Sequence, residues 1–382
     1  MNILWIYNRP LEPEAGGTER ITSLVAKGLL RSGHNCFGML VFDEHYDVLS
    51  YNGQCISDLY DFLKEYKIDI VINQIAYTKW LLDSFLNKGG NKWKQEGGRI
   101  ISCLHFDPKN PSLLYLLKGK SDKRMIDRVN ILKAFLLYKY YEVKQEQREG
   151  DIYNYIYENS DIFVTLSSTH FPYLHKVMKR NEYSRLVAIN NPLTFDDISG
   201  LEILSQKKKV VLVCARMSEY HKRISIVLKA WEILQKKGIT DWNLVLLGDG
   251  PDLDSYKTYV QMNRIRNVVF EGQQSPESYY RAASILLLTS SAEGWGLTIT
   301  EGLQRGVVPV VMNSSSVFSE IIEDKQNGFL TPDGELNKFA DQIEQLISNP
   351  QLLIQMQENA LKSAEKFSLE KTMIKWENIL CF

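Results

Sequence analysis

The sequence predicts an α/β protein built from two doubly wound parallel sheets in two domains, and three observations predict it. Short apolar runs alternate with amphipathic stretches along the whole chain, the pattern of parallel strands joined by crossover helices. The runs fall into two sets, one in each half of the sequence. The length of 382 residues exceeds what one hydrophobic core usually serves.

In the first half the expected strands are Asn2 to Tyr7, Cys36 to Phe42, Asp69 to Asn73, Arg99 to Leu104, Ile162 to Leu166 and Leu186 to Ile189, with helices between most of them. The second set is Val210 to Ala215, Asn243 to Leu247, Asn267 to Phe270, Ile285 to Thr289 and Val308 to Met312, all apolar enough for a sheet covered on both faces. Between the sets, Asn190-Asn191-Pro192-Leu193-Thr194 and the polar Ser205-Gln206-Lys207-Lys208-Lys209 read as a linker, because Pro192 restricts its neighbour and the lysines favour water. The boundary is expected near residue 195, giving domains 1–195 and 196–367. The tail from Ser368 to Leu380 reads as a helix capped by Ser368, with Met373, Trp376 and Ile379 on one face.

The formal net charge of −1 provides no global field to gather nucleic acid, so an anionic ligand needs a local constellation. The five cysteines (36, 55, 103, 214 and 381) are scattered without a CxxC pair, which fits neither a disulfide framework nor a zinc site. Cys103 and Cys214 read as buried small hydrophobes. The first residues lack the pattern of a signal peptide, and no run approaches the length of a membrane span, so a cytoplasmic protein is expected.

The most specific segment is Glu293-Gly294-Trp295-Gly296-Leu297-Thr298-Ile299-Thr300-Glu301, where a strand runs through a Gly-containing loop into a helix. Open α/β sheets bind ligands at strand carboxyl ends, and such a loop turns backbone N–H groups and a helix N-terminus toward a diphosphate. Glu293 is placed to reach sugar hydroxyls, and Glu301 to accept two hydrogen bonds from a ribose diol. The alternative is an acidic first turn with Glu301 solvated. Carboxylates beside a diphosphate need cations, and Ala215-Arg216-Met217-Ser218-Glu219-Tyr220-His221-Lys222-Arg223 follows the first strand of the same set. Arg216 can fork onto phosphate oxygens and Lys222 supplies a point charge, unless this is only a basic solvated loop.

In the first half, Gly16-Gly17-Thr18-Glu19 joins the first strand to a helix, with Thr18 as the expected N-cap and the glycines permitting close approach of a phosphate or sugar. His105 ends the strand Arg99 to Leu104 and is expected to point into a cleft, as a ligand contact or as a buried structural histidine. Asp252-Leu253-Asp254 looks like a metal-binding pair, but at a helix start capping explains it better. His170 and His175 miss the spacing of a zinc pair. No metal site is expected. Residues 118–149 carry nine Lys or Arg against five Asp or Glu, interleaved with aromatics. This reads either as a surface for anionic lipid or as a core helix with Met125, Val129, Leu132, Leu136, Tyr140 and Val143 inward.

At Gly16-Gly17-Thr18-Glu19, Arg216 to Lys222 and Glu293 to Glu301 the sequence resembles glycosyltransferase family 4. The likeness extends to Gly248-Asp249-Gly250-Pro251, Val268 to Gly272 and Asn327 to Leu330. The resemblance implies a GT-B fold of two facing Rossmann-like domains, with the tail from Ser368 crossing back to the N-terminal one. It also implies a retaining transfer without metal or other cofactor, from a nucleotide-diphosphate sugar (a UDP-sugar first, a GDP-sugar next) to a glycan or lipid-linked acceptor. Arg216 and Lys222 would contact the donor phosphates, Glu293 and Glu301 the sugar and ribose, His105 the donor sugar, and Gly16 and Gly17 would close over the phosphates. Gly294 through Thr298 complete the donor loop. Gly296-Leu297-Thr298 stands where the family has Gly-Leu-Pro, and Asn313-Ser314-Ser315-Ser316 replaces a more Gly-rich stretch. A rival reading is a non-catalytic nucleotide-sugar-binding partner subunit of the same fold.

Overall fold

The computed structural model describes residues 1–10, 12, 16–41, 49–109 and 125–381. They form two compact units, Met1–Pro192 with Leu369–Phe382 and Leu193–Ser368. The division falls beside Pro192, and the tail helix Leu369–Leu380 packs with the first unit.

The first unit carries an eight-stranded sheet in the order β4-β3-β2-β1-β5-β6-β7-β8. The strands are β1 (Asn2–Tyr7), β2 (Asn35–Val41), β3 (Leu49–Tyr51), β4 (Gln54–Cys55), β5 (Ile70–Asn73), β6 (Arg99–Leu104), β7 (Ile162–Thr165) and β8 (Leu186–Ala188). All pairings are parallel except those of the β3–β4 hairpin. The sequence did not signal that hairpin, since Leu49–Tyr51 and Gln54–Cys55 are too short and polar to stand out. β1 pairs with both β2 and β5, so the strand order reverses between β1 and β5.

The second unit carries six parallel strands in the order β11-β10-β9-β12-β13-β14. They are β9 (Val210–Cys214), β10 (Asn243–Leu247), β11 (Val268–Gly272), β12 (Ile285–Leu288), β13 (Val308–Asn313) and β14 (Phe329–Pro332). In order of appearance this is 3-2-1-4-5-6, the doubly wound Rossmann arrangement, whose switch point lies between the first and fourth strands, here β9 and β12. The β12 side chains Ile285, Leu286, Leu287 and Leu288 are all buried, which is why this segment reads as a continuous apolar run. β14 is an added strand whose sequence, Phe-Leu-Thr-Pro, gave no warning.

The tail helix buries Thr372, Met373, Trp376, Ile379 and Leu380. Trp376 meets Trp5 with ring centroids 6.1 Å apart, and the Met373 sulfur fills the space above Gly28, where a Cβ would come within 2.4 Å of it. Arg99 donates to the Leu380 carbonyl at 2.6 Å, and Asn190 donates to Thr372 at 3.1 Å.

Three expectations about local structure change. The N-cap of the helix Gly17–Arg31 is Gly16 rather than Thr18, which lies inside the first turn and gives its carbonyl to the Thr22 hydroxyl at 2.8 Å. Lys207 does not sit in water, because the helical turn Leu201–Gln206 folds the linker inward and Lys207 Nζ donates to the Tyr280 carbonyl at 2.9 Å. Within 118–149, residues 118–124 and the side chains as far as Leu136 lie outside the described residues. Further along the helix Met125–Asn159, Tyr140 and Val143 are 53% and 52% exposed, so they are not inward core positions.

Candidate functional site

The two segments singled out in the C-terminal half both lie at the switch point of the second sheet. Arg216 to Lys222 follows β9, and Ser290 to Gly296 follows β12, strands that pair with each other through Leu286 and Leu212. Adjacent loops at the carboxyl ends of diverging strands form a crevice, the usual ligand position in such sheets.

The β9 loop is held in place by its own backbone. Met217 N–H donates to the Asp249 carbonyl at 2.9 Å, and Asp252 N–H to the Met217 carbonyl at 3.0 Å. Gly248 permits this approach. It has φ 132°, and a Cβ there would lie 2.0 Å from the Ala215 carbonyl oxygen. The Asp252 carboxylate accepts from Glu219 N–H at 2.8 Å, so it caps the short helix Glu219–Lys222 rather than its own helix Leu253–Met262. Among the described residues no group of three His, Cys, Asp or Glu converges as a metal site.

The two loops are laced together. Ser291 N–H donates to the His221 carbonyl at 2.8 Å, and the Ser291 hydroxyl donates to the Tyr220 carbonyl at 3.0 Å. Thr289 Oγ1 donates to the Lys222 carbonyl at 2.8 Å. Arg223 is the strongest tie. Its guanidinium is buried and donates to the carbonyls of Thr289 at 2.5 Å and Ser290 at 2.7 Å, and it pairs with Asp333 at 2.7 Å. Arg223 also adopts φ 49°, a left-handed conformation uncommon for a non-glycine residue.

On this frame Lys222 Nζ bonds directly to Glu293, whose carboxylate also accepts from Ser290 Oγ at 2.6 Å. Arg216 is exposed and has no ion-pair or hydrogen-bond partner among the described residues, so its fork is available to an anion. Burial first, and then the charges of Lys222 and Arg216, hold the His221 imidazole below its usual value, a sign of the local positive field.

Gly294 and Gly296 are buried in the turn, and Gly296, with φ 98°, precedes the helix Leu297–Gln304. Leu297 and Thr298 are partly exposed at its first turn, where N–H groups have no intrahelical acceptor. Trp295 contributes backbone only, because its indole is 2% exposed and packs against Phe367 at 5.4 Å. Glu301 is not solvated. It is 3% exposed, one oxygen accepting from Thr194 Oγ1 at 3.0 Å and the other from Tyr280 O–H at 2.9 Å.

In the first unit Gly16 and Gly17 open the helix after β1, at the β1–β5 reversal. A Cβ on Gly16 would lie 2.5 Å from Glu19 Oε2, so glycine there lets buried Glu19 fold back toward the helix start, where Arg9 pairs with it at 2.5 Å. His105 follows β6. Its Nε2–H donates to Gln74 Oε1 at 2.5 Å, and Nδ1, with no partner among the described residues, is left with an acceptor lone pair. Burial lowers the imidazole to about 4, so it is neutral at pH 7. His170 is buried and bonded to Thr165 at 2.7 Å, a structural role.

Sequence reasoning missed Arg223, Tyr280, Thr194, Glu219 and the Thr289-Ser290-Ser291 run. The last had a signal, three hydroxyls ending an apolar strand beside the acidic loop.

Residues 197–363 match the family described as Glycosyl transferases group 1. Among curated relatives, an uncharacterized glycosyltransferase of Haemophilus influenzae is 29% identical over 222 residues, which are 58% of this chain and 61% of the relative. Among solved structures, the lipopolysaccharide outer core galactosyltransferase WaaB in its apo form superposes with a TM-score of 0.68 at 19% identity, covering 100% of this chain and 99% of that one. Anabaena HepE in complex with UDP-glucose gives a TM-score of 0.68 at 16% identity, again covering 100% and 99%. The fold is therefore the GT-B arrangement of two Rossmann-like domains.

Proposed function

We propose that the chain is a retaining, metal-independent glycosyltransferase that takes its sugar from a UDP-sugar and acts in the synthesis of a surface polysaccharide or glycoconjugate. The observation that carries the reading is the switch-point cluster of the second sheet, with an unpaired Arg216 beside the Lys222–Glu293 pair and an open helix N-terminus at Leu297 and Thr298. Together these offer a guanidinium fork, an ammonium and two backbone donors to a diphosphate, and carboxylates to sugar and ribose hydroxyls.

In this scheme Arg216 and Lys222 stabilise the charge that develops on the departing diphosphate, where preorganised donors are worth most. The acceptor oxygen attacks the anomeric carbon on the face that the phosphate leaves, the carbon–oxygen bond to phosphate breaks, and the acceptor proton passes to a phosphate oxygen. Anomeric configuration is retained. Neutral His105 accepts a hydroxyl through Nδ1 and orients the donor sugar. UDP is favoured because HepE was solved with UDP-glucose. A role at the membrane follows the exposed Leu137, Tyr140, Tyr141 and Val143 on the helix Met125–Asn159. Among the described residues no helix is long and apolar enough to cross a membrane.

The test is transfer or slow hydrolysis of UDP-glucose, UDP-galactose, UDP-N-acetylglucosamine and the GDP-sugars, with and without EDTA, with the product anomer read by NMR. The proposal expects one UDP-sugar to turn over in EDTA and give an α-anomer. A β-product would remove the retaining mechanism, loss of turnover in EDTA the metal independence, and no turnover of any donor would favour the partner-subunit reading.

A further inference from the structure

The first unit has a second constellation that the donor chemistry leaves unused. It starts one residue beyond His105. The next residue, Phe106, is 48% exposed and meets Tyr77, 43% exposed, edge-on with centroids 5.1 Å apart. Tyr77 and Phe106 lie on the loops after the neighbouring strands β5 and β6, joined where Ala76 N–H donates to the Cys103 carbonyl at 3.2 Å. Tyr77 immediately precedes Thr78, which with Lys79, Trp80, Asp83, Arg148, Asp151, Ile152 and Tyr155 lines a groove of about 520 Å³. That volume lies within the usual range of small-ligand sites, roughly 300–1,000 Å³.

The groove walls are built and its polar groups are available. Tyr155 O–H donates to Asp83 Oδ1 at 2.7 Å, Lys79 Nζ lies 5.4 Å from the Tyr155 ring centre, and Tyr153 O–H fixes the loop after His105 by donating to the Pro108 carbonyl at 2.9 Å. Arg148 and Asp151, one helical turn apart, have no hydrogen-bond or ion-pair partner among the described residues. An unpaired guanidinium and an unpaired carboxylate in one groove serve a ligand that both donates and accepts hydrogen bonds.

We infer that Tyr77, Phe106 and this groove form the binding site for the carbohydrate portion of the acceptor, and that this portion is a neutral glycan rather than a phosphate-rich polymer. The inference rests on the glycosyltransferase reading. Aromatic faces pack against the C–H faces of sugar rings, and carboxylate, guanidinium and hydroxyl groups bond to the hydroxyls at their edges. Charge decides the class. Lys79 and Arg148 are balanced by Asp83 and Asp151, so the groove has no net field to concentrate a polyanion, and the carboxylates repel one. Phe106 directly follows His105 in the chain, which puts the acceptor platform next to the proposed donor-sugar contact.

A glycan microarray carrying neutral, phosphorylated and sulfated oligosaccharides, together with immobilised poly(glycerol phosphate), tests this on the full chain. Neutral glycans should be retained, with binding weakened about tenfold or more in Phe106→Ala and in Asp151→Asn, both exposed positions that leave the core intact. Thermal stabilisation by UDP should be unchanged in both variants. Retention of only charged polymers, retention unaffected by the two variants, or no glycan retention while UDP still stabilises the chain would each overturn the inference. Loss of the UDP effect in the wild-type chain would instead overturn the donor reading beneath it.

Discussion

Arg223 offers the sharpest test of how the switch-point cluster is held. Arg223→Ala removes the donors to the Thr289 and Ser290 carbonyls and the partner of Asp333. The Ser290 carbonyl keeps the Ser314 hydroxyl as a donor, so the Thr289 carbonyl alone is stranded, at a cost of about 1–3 kcal/mol. The Asp333 carboxylate is 44% exposed, so that pair is discounted for solvent screening. The expected loss is about 2 kcal/mol, or a fall of roughly 4–8 °C in Tm for a unit of this size. Arg223 also holds φ 49°, and glycine relieves about 1 kcal/mol there, so Arg223→Gly should be milder than Arg223→Ala by that amount. The same change frees Lys222 and the strand end that leads to Glu293, so kcat/KM should fall as well. Urea denaturation of wild type, Ala and Gly variants reads the order. An alanine variant within about 0.5 kcal/mol of wild type, or a glycine variant less stable than alanine, would mean that Arg223 does not hold the cluster in this way.

Three more outcomes are expected. Glu301→Ala should lower kcat/KM for the sugar nucleotide about a hundredfold, equivalent to roughly 3 kcal/mol, and should also destabilise the fold by removing a hydrogen-bond partner of the buried Tyr280 hydroxyl; unchanged kinetics would remove Glu301 from the donor site. Burial, reinforced by Arg305 and Arg281, lowers Lys207 to about 7, so between pH 7 and the unfolded value of 10.5 the unfolded chain holds a proton that the folded chain lacks. Stability should therefore rise with pH across that window by up to about 1.4 kcal/mol per unit, and Lys207→Met should flatten the rise in pH-dependent urea melts. His105, lowered by burial to about 4 from 6.5, is fully neutral above pH 6.5 in both states, so its stabilisation should disappear as pH falls from 6.5 toward 4. His105→Gln should lose that acid slope, and an unaltered slope would mean the imidazole is not held neutral.

The long apolar strands and the two functional loops were legible because burial on both faces and loop position at strand carboxyl ends leave clear marks in sequence. Val210–Cys214 and Ile285–Leu288 read directly as strands, and their pairing puts Arg216 and Glu293 at one switch point. What was not legible depended on partners distant in sequence. Arg223 and Lys222 look alike in a basic run, yet one is buried against three acceptors and the other meets Glu293. Lys207 stands among three lysines that read as a solvated run, and only the fold of Leu201–Gln206 carries it to the Tyr280 carbonyl. Glu301 was found by its spacing, but its burial under Tyr280 and Thr194 follows from packing that no local pattern encodes.

The crevice between the β9 and β12 loops is expected to bind a nucleoside diphosphate through Arg216 and Lys222. Isothermal titration of UDP, GDP and ADP into the wild-type chain and into Arg216→Ala, with EDTA present, measures it directly. UDP should bind selectively at 1:1 stoichiometry, weakened at least tenfold by Arg216→Ala, as expected for loss of about 1.5–3 kcal/mol from a charged hydrogen bond. Equal affinity of the variant, or no heat from any of the three nucleotides, would contradict it.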